Sequence, residues 1–227
     1  EIVKNYLNIQ KKLNSKNISS LKFLKTHSSL NDINGYKFTD LKNSLGVIYI
    51  VRDPRSVAKS YANHNQMTLE MATDNLFKFV TLTDERKHSD QVVNQAVTHV
   101  GSWSSNYNSW KEFKKVNRYL LVKYEDLVLN TDKCFREILK FIFEIGKSSF
   151  QINTKKFENT LESTTFSRMQ KLELEKGFPE AIKDINGSKI TFFKYGLRDN
   201  DPNSFPKDLN EKIKSKFFHE LNELSYI

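Results

Sequence analysis

Apolar residues fall along this chain in two rhythms. Residues 45–51, Leu-Gly-Val-Ile-Tyr-Ile-Val, form a continuous block rich in β-branched side chains and bounded by polar ones. That is the pattern of a strand covered on both faces, and so of a central strand in a parallel sheet. Residues 118–123 repeat it, and residues 21–25 give a shorter β-type run. Elsewhere the period is helical. Ile2, Tyr6, Leu7 and Leu13 share one face of a helix that should end near residues 14–17. Asp53-Pro54 reads as a helix start, with Asp capping and Pro in the first turn, continuing through Val57, Ala58 and Tyr61. Further helices are expected over 69–79 and 97–113, and from Asp132 with Phe135, Ile138, Leu139 and Ile142 on one side. A helical region follows around Phe157, Leu161 and Phe166, and the tail from Pro206 carries Leu209, Ile213, Phe217 and Leu221. Residues 172–190 are polar and broken by Gly177, Pro179 and Gly187, the pattern of a mobile loop.

Strands alternating with helices predict an α/β protein, a three-layer sandwich on a central parallel sheet. The length of 227 residues suits a single domain over 1–227. Apolar content of 38% with 12% aromatic residues excludes disorder. No apolar run approaches a membrane span. The single Cys134 excludes a disulfide framework or zinc knuckle and points to a reducing, cytoplasmic setting. The net charge of +9 favours an anionic ligand, yet its lysines are dispersed rather than gathered into a stripe, so no nucleic-acid partner is expected.

In parallel sheets ligands sit at the carboxyl ends of strands. Three such ends carry chemistry: Lys25-Thr26-His27, Arg52 and Tyr124-Glu125-Asp126. A histidine after a strand can act as general base, although its position alone assigns no role. Arg52 and Ser60, eight residues apart, could clamp an anion at a helix N-terminus. The competing reading pairs Arg52 with Asp53 or Asp126. Trp103, Tyr107 and Trp110 recur at helical spacing and read as core packing. His64, His88, His99 and His219 have no metal-ligand spacing, so no metal is expected.

Taken in order, these blocks resemble the sulfotransferases that use 3′-phosphoadenosine-5′-phosphosulfate (PAPS), in a bacterial-like form. The segment from Val47 to Tyr61 resembles the family's 3′-phosphate motif, including the Arg-to-Ser spacing. Gly101-Ser102-Trp103 with Trp110, the strand ending in Tyr124-Glu125-Asp126, and Thr164-Thr165-Phe166-Ser167-Arg168-Met169 follow in the family's order. Phe192-Phe193-Lys194-Tyr195-Gly196 is similar to a degraded Phe-x-Arg-Lys-Gly loop. The resemblance implies a P-loop-NTPase-like sulfotransferase fold and transfer of a sulfuryl group to a hydroxyl or amine of a small-molecule or glycan acceptor. It makes His27 the base and places Lys25 by the phosphosulfate. It gives Arg52, Ser60, Lys194 and Gly196 to the 3′-phosphate, and Tyr124, Thr164, Phe166 and Met169 to the adenine pocket.

The late loop departs from the family pattern, with Lys194-Tyr195 in place of Arg-Lys and Leu197-Arg198-Asp199-Asn200 after it, where Arg198 could contribute. The family's first strand and its phosphosulfate loop have no match upstream of Lys25, so the chain is expected to be part of a longer protein. Acceptor contacts are expected from variable loops over residues 63–83 and 172–189. The alternatives are a P-loop-type kinase, which needs a Walker lysine loop and a magnesium carboxylate, and a non-catalytic relative that binds 3′-phosphoadenosine-5′-phosphate (PAP). Nothing in the sequence sets an oligomeric state.

Overall fold

The computed structural model describes residues 2–15, 21–83, 97–178, 187–194, 196 and 204–227. It is an α/β protein with a parallel sheet, as the sequence predicts. After a short 3-10 turn, helix α1 (Tyr6–Ser15) precedes strand β1 (Val47–Val51) and helices α2 (Pro54–Asn65) and α3 (Leu69–Phe77). Strands β2 (Val80–Thr83) and β3 (Val97–Gly101) lead to helix α4 (Trp103–Ser109), a 3-10 segment over Trp110–Val116 and strand β4 (Tyr119–Lys123). Six helices complete the described chain: α5 (Tyr124–Leu129), α6 (Thr131–Ile145), α7 (Thr154–Ser163), α8 (Phe166–Lys176), α9 (Lys207–Lys216) and α10 (Phe218–Glu223).

Strands β1 and β4 are neighbours in one sheet. The Val47 N–H donates to the Arg118 carbonyl at 2.9 Å where both strands begin. Just past their far ends, the Asp53 N–H donates to Glu125 at 3.1 Å, so the strands run in the same direction. This brings residues 52 and 124 to one end of the pair, which is the arrangement a strand-end ligand site needs.

The chain forms two compact units, and each has its own core. The first comprises Glu1–Tyr49, Asn75–Leu121 and Ile145–Lys147. Leu30, Trp110 and Phe113 are its buried centre, with Phe38, Leu41, Val47, Tyr49 and Tyr119 around them. Trp110 and Tyr107 are buried, as their helical spacing predicts. The second comprises Ile50–Asp74, Val122–Glu144 and Ser148–Ile227. Here Leu209, Ile213, Phe217 and Leu221, spaced four apart on successive turns, are all buried. Phe217, at φ −116° and ψ 25°, leaves helical geometry and divides the predicted tail helix into α9 and α10. Cys134 is buried on α6, and burial, with Glu137 and Asp126 nearby, pushes its thiol pKa up.

Four expectations need correction. Residues 97–113 are not one helix: Val97–Gly101 is a strand, antiparallel to β2, and α4 begins only after it. The break is local. Gly101 sits at φ +78°, where a Cβ would come within 2.6 Å of the Ser105 side chain, and Ser102 forms a capping box with Ser105. Residues 21–25 are not a regular strand; Leu21, Phe23 and Leu24 are exposed and make no ladder. Residues 63–83 carry the end of α2, α3 and β2 rather than a loop. Finally, α8 runs to Lys176, so the expected loop starts later than residue 172, and residues 179–186 lie outside the described residues.

Candidate functional site

Asp53 caps α2 by accepting the Arg55 N–H at 2.8 Å, with Pro54 in the first turn. The same carboxylate takes the Arg55 guanidinium, Nε to Oδ1 at 2.8 Å and Nη2 to Oδ2 at 2.5 Å, in a buried pair. The Asp53 carboxylate therefore serves Arg55, three residues beyond Arg52.

Arg52 instead faces two other segments of its unit. Its guanidinium lies over the Tyr124 ring, 4.5 Å from the centroid, and its Nη2 donates to the Gly196 carbonyl at 3.1 Å. Gly196 is buried at φ +57°, and a Cβ there would meet the Phe166 ring at 3.0 Å. Arg52, Tyr124, Phe166 and Gly196, drawn from four separate sequence blocks, thus converge. Thr164 and Met169 flank Phe166 at the start of α8, Thr164 exposed and Met169 half-buried. Thr164 Oγ1 donates back to the Thr160 carbonyl at 2.7 Å as α7 ends. Ser60 is exposed on α2. Lys194 is exposed and donates to Asn63 Oδ1 at 2.8 Å. Tyr195 and Arg198 lie outside the described residues.

The late loop is tethered to α8. Glu173 accepts the Phe192 N–H at 2.6 Å and the Phe193 N–H at 2.9 Å, while Gln170 donates to the Phe193 carbonyl at 2.6 Å. The Phe193 ring meets Phe166 and Phe178 edge-on. This tether delivers Gly196 to Phe166.

In the other unit, Lys25 and His27 are exposed, on irregular chain rather than a strand. Side chains of the 101–110 region fix that chain. Asn106 donates to the His27 carbonyl at 3.1 Å and to the Val100 carbonyl at 2.7 Å, and accepts the Tyr49 hydroxyl at 2.9 Å. Trp110 Nε1 donates to the Ser28 carbonyl at 3.1 Å, and Ser109 accepts the Leu30 N–H at 2.8 Å. Ser29 N–H donates to the His99 carbonyl at 2.8 Å. The Tyr49 phenol is pushed far up in pKa by burial and then by neighbouring Tyr107, so it remains a hydrogen-bond donor to Asn106.

Sequence reasoning missed Asn106 and Glu173. Each works through a hydrogen bond to a distant segment, and nothing in its sequence neighbourhood marks that bond. Glu125 stood within a quoted motif but without a role. Among the described residues there is no cluster of three or more His, Cys, Asp or Glu placed to hold a metal. No helix among them is long and apolar enough to cross a membrane.

A parallel strand pair thus carries Arg52 over Tyr124 at one end, with Gly196 of the late loop against the same guanidinium. The chain belongs to the sulfotransferase domain family, whose model matches residues 5–225. Its fold is similar to that in the crystal structure of mouse sulfotransferase SULT7A1 complexed with PAP. That likeness has a TM-score of 0.59 and 18% sequence identity, over 94% of this chain and 71% of the mouse one.

Proposed function

We propose that this protein transfers a sulfuryl group from PAPS to a hydroxyl or amine of a small-molecule or glycan acceptor. The observation that carries the reading is the convergence of Arg52, Tyr124, Phe166 and Gly196. An aromatic ring and a guanidinium stacked at a strand end suit an adenine carrying a 3′-phosphate. Arg52 and Ser60 would bind that phosphate, with Lys194 and the Gly196 backbone approaching from the late loop. Tyr124, Thr164, Phe166 and Met169 would line the base. The PAP in the mouse relative's crystal structure supports the same choice of ligand.

In the transfer, the acceptor oxygen forms a bond to sulfur as the bond from sulfur to the bridging phosphate oxygen breaks. His27 takes the acceptor's proton, and PAP leaves with the bridging electron pair. Lys25 offsets the negative charge that grows on the bridging oxygen. Such a transfer asks the protein chiefly for positioning and electrostatic stabilisation. The decisive experiment is thermal unfolding of the complete protein with PAP, paired with transfer of label from radiolabelled PAPS to an acceptor panel. PAP should raise Tm, and Arg52→Ala should remove that rise. A wild-type protein whose Tm ignores millimolar-range PAP would sink the reading.

A further inference from the structure

Behind the Arg52–Tyr124 stack lies a closed circuit of hydrogen bonds that the roles assigned above do not use. The Asp53 carboxylate holds Arg55 through Nε at 2.8 Å and Nη2 at 2.5 Å. Arg55 Nη2 also donates to the Tyr226 carbonyl at 2.9 Å. The Tyr226 hydroxyl donates to Glu125 Oε2 at 2.8 Å. Glu125 Oε1 accepts the Asp53 N–H at 3.1 Å, which closes the circuit. Two of its members are chain neighbours of the stacked pair: Asp53 follows Arg52, and Glu125 follows Tyr124.

We propose that Tyr226 is a positioning residue for nucleotide binding, holding Arg52 and Tyr124 in register through Glu125. This rests on the reading of Arg52 as a phosphate ligand. The Glu125 carboxylate bridges the two strand ends through one oxygen, and the rotation of that carboxylate is set by the hydroxyl on the other. Tyr226 is well suited to set it, because it is fixed at three further points. Its N–H donates to the Leu221 carbonyl at 2.8 Å. Its carbonyl is held by Arg55. The Lys123 ammonium lies 4.4 Å from its ring centroid while donating to the Leu224 carbonyl at 2.7 Å. The last turn of the chain is thereby keyed to the strand ends. Without the hydroxyl, Glu125 can turn away from the Asp53 N–H, and the spacing of Arg52 and Tyr124 is no longer fixed from behind.

The test is calorimetric titration of the full chain with PAP, which separates affinity from the fraction of competent protein. Tyr226→Phe should weaken binding by roughly tenfold, with stoichiometry unchanged. Glu125→Ala should match it, and the double variant should be no worse than either single one, since both break the same link. Glu125→Gln can still accept the Asp53 N–H and meet the hydroxyl with its amide, so it should bind within about threefold of wild type. A purely structural role predicts reduced stoichiometry or Tm at unchanged affinity, and that result overturns the inference. Wild-type binding with an equally tight Tyr226→Phe overturns this inference alone. Absence of wild-type binding overturns both it and the PAPS reading.

Discussion

The Arg52 guanidinium rests 4.5 Å from the centroid of the Tyr124 ring while its Nη2 donates to the Gly196 carbonyl. The guanidinium carbon lies over the ring and Nη2 is taken by the carbonyl, so the group is held at two points. Lysine cannot reproduce this, having neither a planar fork nor a stacking face. Arg52→Lys should therefore behave nearly as Arg52→Ala. Loss of a charge-assisted contact worth about 1.5–3 kcal/mol should raise the Kd for PAP by roughly 10- to 150-fold. Titration of both variants checks this, and near-wild-type affinity in Arg52→Lys would count against the oriented stack.

His27 is exposed, and its backbone is fixed by Asn106. Substitution to Ala should leave PAP binding within about twofold and slow sulfuryl transfer by about 10²–10⁴-fold, the usual worth of a general base. Comparable activity in His27→Ala would assign the base elsewhere.

Gly196 occupies φ +57° with the Phe166 ring 3.0 Å from where a Cβ would stand. Gly196→Ala should destabilise by about 1–2 kcal/mol in urea unfolding and weaken PAP as well, because the displaced carbonyl no longer meets Arg52. Unchanged stability would mean that the loop relaxes without cost.

Tyr226 gives the alkaline limb of stability a specific origin. Burial first, then the hydrogen bond to Glu125 and the charges of Glu125, Asp53 and Asp126, push the phenol pKa far up in the folded state. A raised pKa means that the unfolded chain loses the proton first. This stability is thus fully present below the unfolded value of about 10 and declines as pH rises above it. Tyr226→Phe cannot ionise. The stability gap between wild type and variant should shrink from neutral pH to about pH 11, which urea midpoints at the two pH values measure.

Much of this architecture was legible because its signals are local. The apolar block at β1, the Asp53-Pro54 cap and the four-residue spacing from Leu209 to Leu221 each state their structure within one turn or one strand. The conformation of residues 21–30 is not local. Leu21, Phe23 and Leu24 have strand-like character, but a strand forms only where a partner supplies its hydrogen bonds. The chain here is fastened instead by Asn106, Ser109 and Trp110. Residues 97–101 failed for a related reason. Apolar spacing at Val97 and Val100 fits helix and strand alike, and only pairing with Val80–Thr83 decides it. At the site, the motif residues Arg52 and Tyr124 were readable, whereas the circuit through Glu125 and Tyr226 joins positions 101 residues apart.

The tether of the late loop has a consequence for how this part of the molecule can change over evolutionary time. Glu173 grips the main-chain N–H groups of Phe192 and Phe193, and Gln170 grips the Phe193 carbonyl. None of these bonds depends on what side chain stands at positions 192–195. The loop can exchange its basic residues while Gly196 stays docked on Phe166, and the Lys194-Tyr195 departure from Arg-Lys is a change of this kind. The side-chain chemistry of this edge can thus change independently of loop placement, with helix α8 acting as the fixed mount and the loop as a replaceable fitting.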